Sequence, residues 1–181
     1  RRATDRGSGG TVVDHRRGRP TADAVVEVRG DDATRRLEVA RGAFSAELTP
    51  GRWRLTVSAP GHLPETTPLV VPHHGELRTL RVTLVAVRER VFELYRRVAE
   101  PLLPKSELWG IWTPRQIVNH VRGQRPSTAL AALTSAVEEI YFSARPPQSR
   151  AIDETRALVA ATLAEQGPVT GAAAPFTPPT S

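Results

Sequence analysis

Apolar and polar residues alternate with period two through the first half of the chain, and with a period near three and a half through the second. The clearest alternation runs through residues 42–60. Phe44, Ala46 and Leu48 share one face of a first run, and Trp53, Leu55 and Val57 share one face of a second, while Arg52, Arg54 and Thr56 point the other way. Thr49-Pro50-Gly51 separates the runs, so the stretch reads as a half-buried antiparallel hairpin. Other short strands are expected around it. Residues 11–14 precede the charged turn from His15 to Pro20. Ala24, Val26 and Val28 alternate with Val25 and Glu27. Residues 35–40 form a polar edge strand whose arginines discourage edge-to-edge association. Pro68 demotes residues 66–71 towards an edge, and Leu80, Val82 and Leu84 belong to a long closing strand. About seven short strands punctuated by turns predict an antiparallel all-β sandwich. Its expected core is Val12, Val26, Val28, Phe44, Leu48, Trp53, Leu55, Val57, Leu80, Val82 and Leu84.

After Val87 the period lengthens, which predicts an all-α unit of about four helices. Residues 88–100 place Val91, Phe92, Tyr95, Val98 and Ala99 on one face, and Pro101 and Pro104 end the helix. Residues 105–112 are irregular, yet Leu108, Trp109, Ile111 and Trp112 are too apolar to be left in water. Thr113-Pro114-Arg115-Gln116 is a helix start, with a capping threonine, a first-turn proline and a glutamine placed to close a capping box. That helix is expected to break at Gly123. A third covers residues 127–143, burying Leu130, Leu133, Val137, Ile140 and Tyr141. A fourth covers residues 152–165, carrying Ile152, Leu158, Val159 and Leu163. The expected organisation is a flexible basic lead-in at 1–10, the sandwich at 11–86, the helical domain at 87–166 and a disordered Pro- and Ala-rich tail at 167–181. No flexible linker separates the two halves, so the first helix is expected to dock on the sandwich.

Composition narrows the chemistry. A length of 181 residues allows one domain or two small ones. There is no cysteine, which excludes disulfides, thiolate zinc and a cysteine nucleophile. No apolar run is long enough to span a bilayer, and the absence of any methionine reads as a processed or excised chain. The net charge of +6 invites a nucleic acid or an anionic lipid surface. Lys105 is the sole lysine, however, and arginine, alanine and proline abound, as high-GC bacterial coding produces. A solvated, compositionally biased surface is the simpler reading, and nucleic acid, which needs a basic face with stacking aromatics or an entering helix, is not the expected partner.

Residues 10–86 resemble the carboxypeptidase regulatory-like domain, a transthyretin-type sandwich of bacterial multidomain proteins. The residues that carry the resemblance are Gly10-Thr11-Val12-Val13-Asp14, Gly18-Arg19-Pro20 before Ala24-Val25-Val26, Gly42-Ala43-Phe44, Leu48-Thr49-Pro50-Gly51-Arg52-Trp53 and Val57-Ser58-Ala59-Pro60-Gly61. Arg41 departs from it where an acidic turn residue is commoner, and Trp53 where tyrosine is. The resemblance implies a folding and interaction module that accompanies catalytic or membrane domains and is itself no peptidase. The helical half is similar to the C-terminal domain of unknown function of bacterial transglutaminase-like membrane proteins, through Trp112-Thr113-Pro114-Arg115-Gln116, Leu133-Thr134 and Glu138-Glu139-Ile140-Tyr141-Phe142. That resemblance implies a domain that follows a membrane helix and has no assigned chemistry.

Few residues offer chemistry. His73-His74-Gly75-Glu76 contains the His-x-x-Glu spacing that supplies two zinc ligands in carboxypeptidases, and His62 is the nearest further imidazole. A catalytic zinc needs three aimed protein ligands and an open position, and nothing in the pattern aims His62. His73, Glu76 and His62 are therefore weak metal candidates, and no metal or cofactor is expected. No nucleophile elbow or phosphate loop is present. His120 reads as a packed or rim imidazole. Trp109 and Trp112, with His74, are the candidates for an interaction surface, although two tryptophans in an irregular segment more often pin it to a core. The expected function is a non-enzymatic interaction or scaffold module of a bacterial cell-envelope or membrane-associated protein, on its extracytoplasmic side or, alternatively, on the cytoplasmic face. Its partner is another protein or the membrane-bound remainder of its own polypeptide. The alternatives are a non-catalytic region of a larger hydrolase or transglutaminase-like enzyme, and Arg-mediated binding to nucleic acid or an anionic surface.

Overall fold

The computed structural model describes residues 6–21, 23–31, 33–73, 79–124 and 126–167, with backbone only for 6–8. Eight strands form two four-stranded sheets, and four α-helices follow. The strands are β1 (Arg6–Asp14), β2 (Val25–Arg29), β3 (Thr34–Leu37), β4 (Val39–Ala40), β5 (Ala43–Leu48), β6 (Gly51–Ser58), β7 (Glu65–Val71) and β8 (Leu80–Leu84). The helices are α1 (Val87–Ala99), α2 (Pro114–Gln124), α3 (Thr128–Phe142) and α4 (Arg150–Gln166). One sheet has the order β4-β5-β1-β8 and the other β3-β2-β6-β7.

This topology corrects the hairpin expected at residues 42–60. β5 pairs with β1, whereas β6 pairs with β2 and β7, so the two runs belong to opposite sheets and the bend at Pro50 is an arch between them. Each run still buries the expected face, because either arrangement buries alternate residues. Turn chemistry explains the difference. Proline fixes a negative φ and suits type I or II turns, whose twist splays strands, whereas tight hairpins need the mirror-image turns. The tight hairpin lies one strand earlier. Arg41 at φ 52° and Gly42 at φ 78° join β4 to β5 with Ala40 opposite Ala43. At the arch, the Trp53 indole Nε1–H donates to the Thr49 carbonyl at 2.9 Å.

Other strand boundaries shift for identifiable reasons. The single edge strand expected at 35–40 is split at Glu38 into β3 and β4, which lie on the edges of different sheets. β7 is an edge strand, as Pro68 requires. β1 starts at Arg6, five residues before the expected start, and β8 pairs with it in parallel. The sandwich core holds the expected residues, joined by Ala24, Ala46, Leu69 and Val71, while Trp53 and Leu80 are only partly buried. Gly10 lies opposite Phe44, and a Cβ there would stand 2.4 Å from the Phe44 ring, so only glycine admits the aromatic side chain.

In the helical unit the capping box forms as its residues predict. The Thr113 backbone N–H donates to Gln116 Oε1 at 2.8 Å, and the Gln116 N–H points back to Thr113 Oγ1 at 3.4 Å. Ser127 caps α3 by accepting the Leu130 N–H at 3.0 Å. Residues 106–110 form a 3₁₀ turn within the segment expected to be irregular, and α2 continues through Gly123. Tyr141 and Leu163, expected inside, are 42% and 51% exposed. Tyr95 is buried at the centre, its phenol pushed up by burial and donating to the Pro114 carbonyl. Residues 168–181 of the expected tail lie outside the described residues.

The two halves meet without a linker. His62 bridges to Ala86, the Val87 N–H donates to the Gly61 carbonyl at 2.9 Å, and Leu63 from the β6–β7 loop packs against the helical core.

Candidate functional site

The junction leaves an open groove of about 940 Å³. Its polar end is built where β1 finishes. Asp14 accepts the Arg17 backbone N–H on Oδ1 at 2.7 Å, tightening the charged turn, and its Oδ2 stands 3.0 Å from His62 Nε2. The other ring nitrogen, Nδ1, lies 3.0 Å from the Pro60 carbonyl. Both nitrogens thus face acceptors, and only a doubly protonated ring donates to both at once. Burial pushes the Asp14 carboxyl up, but the hydrogen bonds from His62 and the turn amides, with the His62 charge, outweigh it and hold the group below 3.8.

The apolar end is aromatic. Phe92 on α1 lies 5.2 Å from Trp109 and 5.5 Å from Tyr141, centroid to centroid. The Arg96 guanidinium sits 5.8 Å over the Trp109 ring, held by two hydrogen bonds to Glu100 of 2.7 and 3.1 Å. That pair lowers the Glu100 carboxyl and raises Arg96. Pro60, Pro146 and Pro147 add stiff apolar lining. Arg88, at the start of α1, lines the groove with its guanidinium committed within the fold. It donates to the carbonyls of Ile140, Ser143 and Arg145 and closes the end of α3. The groove therefore combines rigid aromatic and proline surface with a stacked cation, which is the composition of a recognition surface.

The residues picked from the sequence scatter. His62 lies in the groove and is committed to Asp14 and Pro60. His73 follows the far end of β7, and His74 and Glu76 lie outside the described residues. The seven residues of β7 put roughly 20 Å between its first and last residues, and the strand separates His62 from His73. No group of three metal-ligating side chains occurs among the described residues. Trp109 lines the groove and packs on the helical core, whereas Trp112 packs on that core edge-on to His120 at 5.2 Å, with His120 held by Gln124. Asp14, Phe92, Arg96 and Tyr141 were not legible as site residues, because separate elements bring them together.

The sequence profile of the carboxypeptidase regulatory-like domain matches residues 9–85, which span β1 to β8. The helical half lies beyond the match. No curated protein matches the chain. Among solved structures, a DUF3823 family protein from Bacteroides ovatus is 13% identical, covers 46% of this chain and 45% of its own, and has a TM-score of 0.38. A Bacteroides uniformis protein provisionally described as carbohydrate-binding is 11% identical, with coverages of 46% and 42% and a TM-score of 0.39. A Bacteroides fragilis protein of unknown function, provisionally described as membrane-associated, is 15% identical, covers 75% of this chain and 50% of its own, and has a TM-score of 0.37. The chain spans half the length of these structures or less, and likeness of this degree carries no functional argument.

Proposed function

We propose that this chain is a non-enzymatic interaction module of a bacterial cell-envelope or membrane-associated protein, presenting the junction groove to a segment of a protein partner. The partner is a separate protein or the remainder of a longer polypeptide, including a hydrolase or transglutaminase-like catalytic part. The observation that carries the reading is the aromatic end of the groove, where Trp109 packs against Phe92 with the Arg96 guanidinium over its ring and Tyr141 is left 42% exposed. Rigid aromatics beside an arginine are the residue types that concentrate binding energy. Among the described residues the lining includes no serine, threonine, cysteine or lysine, and both nitrogens of His62 face fixed acceptors. The regulatory-like sandwich accords with this reading, and so does the resemblance of the helical half to a domain that follows a membrane helix. The reading favours the extracytoplasmic side.

A photo-crosslinking side chain at Tyr141 in the native cell tests it. The expected result is one dominant protein adduct, lost with Trp109→Ala. Adducts that Trp109→Ala leaves unchanged, or turnover of peptide or ester substrates by the purified chain, would refute the reading.

A further inference from the structure

The outward face of the sheet β3-β2-β6-β7 is strongly cationic, and it lies away from the junction. Register decides its composition. Val26, Val28, Leu55 and Val57 point into the sandwich, so the alternate positions face out. Arg29 on β2 stands directly opposite Arg54 on β6. Arg52 lies two residues before Arg54, and Arg36 on β3 stands opposite Glu27. Residues two apart on a strand are separated by about 6.6 Å and neighbouring strands by about 4.8 Å, so each of the four arginines stands about 5–8 Å from the next and the row runs about 16 Å from Arg36 to Arg52. All four are exposed, and none forms an ion pair among the described residues. A like-charge pair directly across two strands is destabilising, and only Glu27 offsets the patch from within the sheet. Neighbouring arginines lie within about one screening length (~8 Å) at physiological salt, so adjacent charges act together on an anion. The other sheet differs, since its described outward charges are Glu47 and Arg81, one of each sign.

We infer that this face, through Arg29, Arg36, Arg52 and Arg54, docks on an anionic phospholipid membrane surface. Guanidinium groups match phosphate geometry with paired donors. The outward positions of its described strands carry no aromatic side chain, so the face lacks the stacking platform that single-stranded nucleic acid requires. Beside the arginines it carries apolar surface instead. Arg52 is opposite Val70, which is 66% exposed, and Arg54 is opposite Pro68. Cations next to exposed apolar side chains are what a headgroup layer accepts, the charge meeting phosphate and the apolar group entering the acyl boundary. Arg54 is six residues before Pro60 at the groove, about 20 Å along an extended chain. Membrane docking therefore leaves the groove open, and the two surfaces stand or fall separately.

Co-sedimentation of the full chain with phosphatidylglycerol–phosphatidylcholine vesicles tests the inference, with phosphatidylcholine vesicles as the reference. Binding is expected only to the anionic vesicles and is lost in several hundred millimolar salt. Arg52→Gln with Arg54→Gln should weaken it about thirtyfold, from about fivefold per cation at a membrane surface. The charge-matched pair Arg81→Gln with Arg122→Gln, both exposed and off this face, should weaken it less than threefold. Val70→Ser should weaken vesicle binding without affecting binding to poly-glutamate, and Trp109→Ala should leave vesicle binding intact. Circular dichroism and melting temperature confirm that each variant is folded. The inference is overturned by no preference for anionic vesicles or by equal losses in the two arginine pairs. Tighter binding of poly-glutamate or single-stranded DNA through Arg52 and Arg54 also overturns it and assigns the face to an acidic protein or a nucleic acid.

Discussion

Arg41 sits at φ 52°, in the left-handed region that costs an ordinary L-residue about 1 kcal/mol. It is half of the two-residue turn that sets the β4–β5 register, so the strain lies in a connection the sheet needs. Arg41→Asn is expected to stabilise the chain by about 0.5–1 kcal/mol, since asparagine tolerates this region, and Arg41→Val to destabilise it, both read as shifts of the urea midpoint. Asp14 gives a pH dependence of defined sign. Its carboxyl titrates lower in the folded chain than its ordinary value of 3.8. The stability this provides is fully present above 3.8 and is lost as pH falls through the lower folded value. Asp14→Asn should therefore cost about 1 kcal/mol near neutral pH, from the weakened bonds to His62 and the Arg17 amide. Thermal melts at descending pH should show the gap to the parent chain closing below 3.8. Individual side chains were legible in the sequence where their environment is local. Thr113 and Gln116 cap their own helix, and both could be read from spacing alone. His62 could not, because its partner Asp14 is 48 residues away.

At the level of elements, strands and helices follow from period, while their partners follow from geometry that period does not carry. β5 and β6 alternate as a hairpin would, and each buries the residues that pattern demands. The turn chemistry at Pro50 disfavours a tight hairpin but does not name the strands that each run pairs with. α3 shows the same division. Its start at Ser127 is local, whereas its end is closed by Arg88, which belongs to α1 and donates to three carbonyls of the α3 terminus and the following loop. Arg88→Gln should cost about 2 kcal/mol, the scale of hydrogen bonds from a charged donor. Hydrogen exchange should speed selectively at the C-terminal turn of α3, and an even loss of protection throughout the chain would contradict the capping role.

Across the whole molecule, two hydrophobic cores stand side by side, one between the sheets and one among the helices. Leu63 crosses between them, since it belongs to a sandwich loop and packs against the helical core. Leu63→Ala should lower stability by about 1–2 kcal/mol, less than a fully buried leucine because the side chain is only partly covered. The loss should appear first in exchange from α1, with β2 and β6 little affected. The functional surfaces also arise at this scale. The groove assembles Phe92, Trp109 and Tyr141 from three separate segments, and Tyr141 lines it because α3 turns that residue outward where the helical period placed it inside.

By itself, the sequence determined the two halves and the change of period near Val87, the alternating core, the capping box of α2, and the likeness to a regulatory-like sandwich. These are local properties, carried by residues within a turn or two of each other. Tertiary structure alone decided which sheet β5 and β6 join, that β8 runs parallel to β1, that His62 answers to Asp14, and that four arginines gather on one outer face. Those depend on which distant segments lie side by side, and hydrophobic alternation is satisfied equally well by more than one such arrangement.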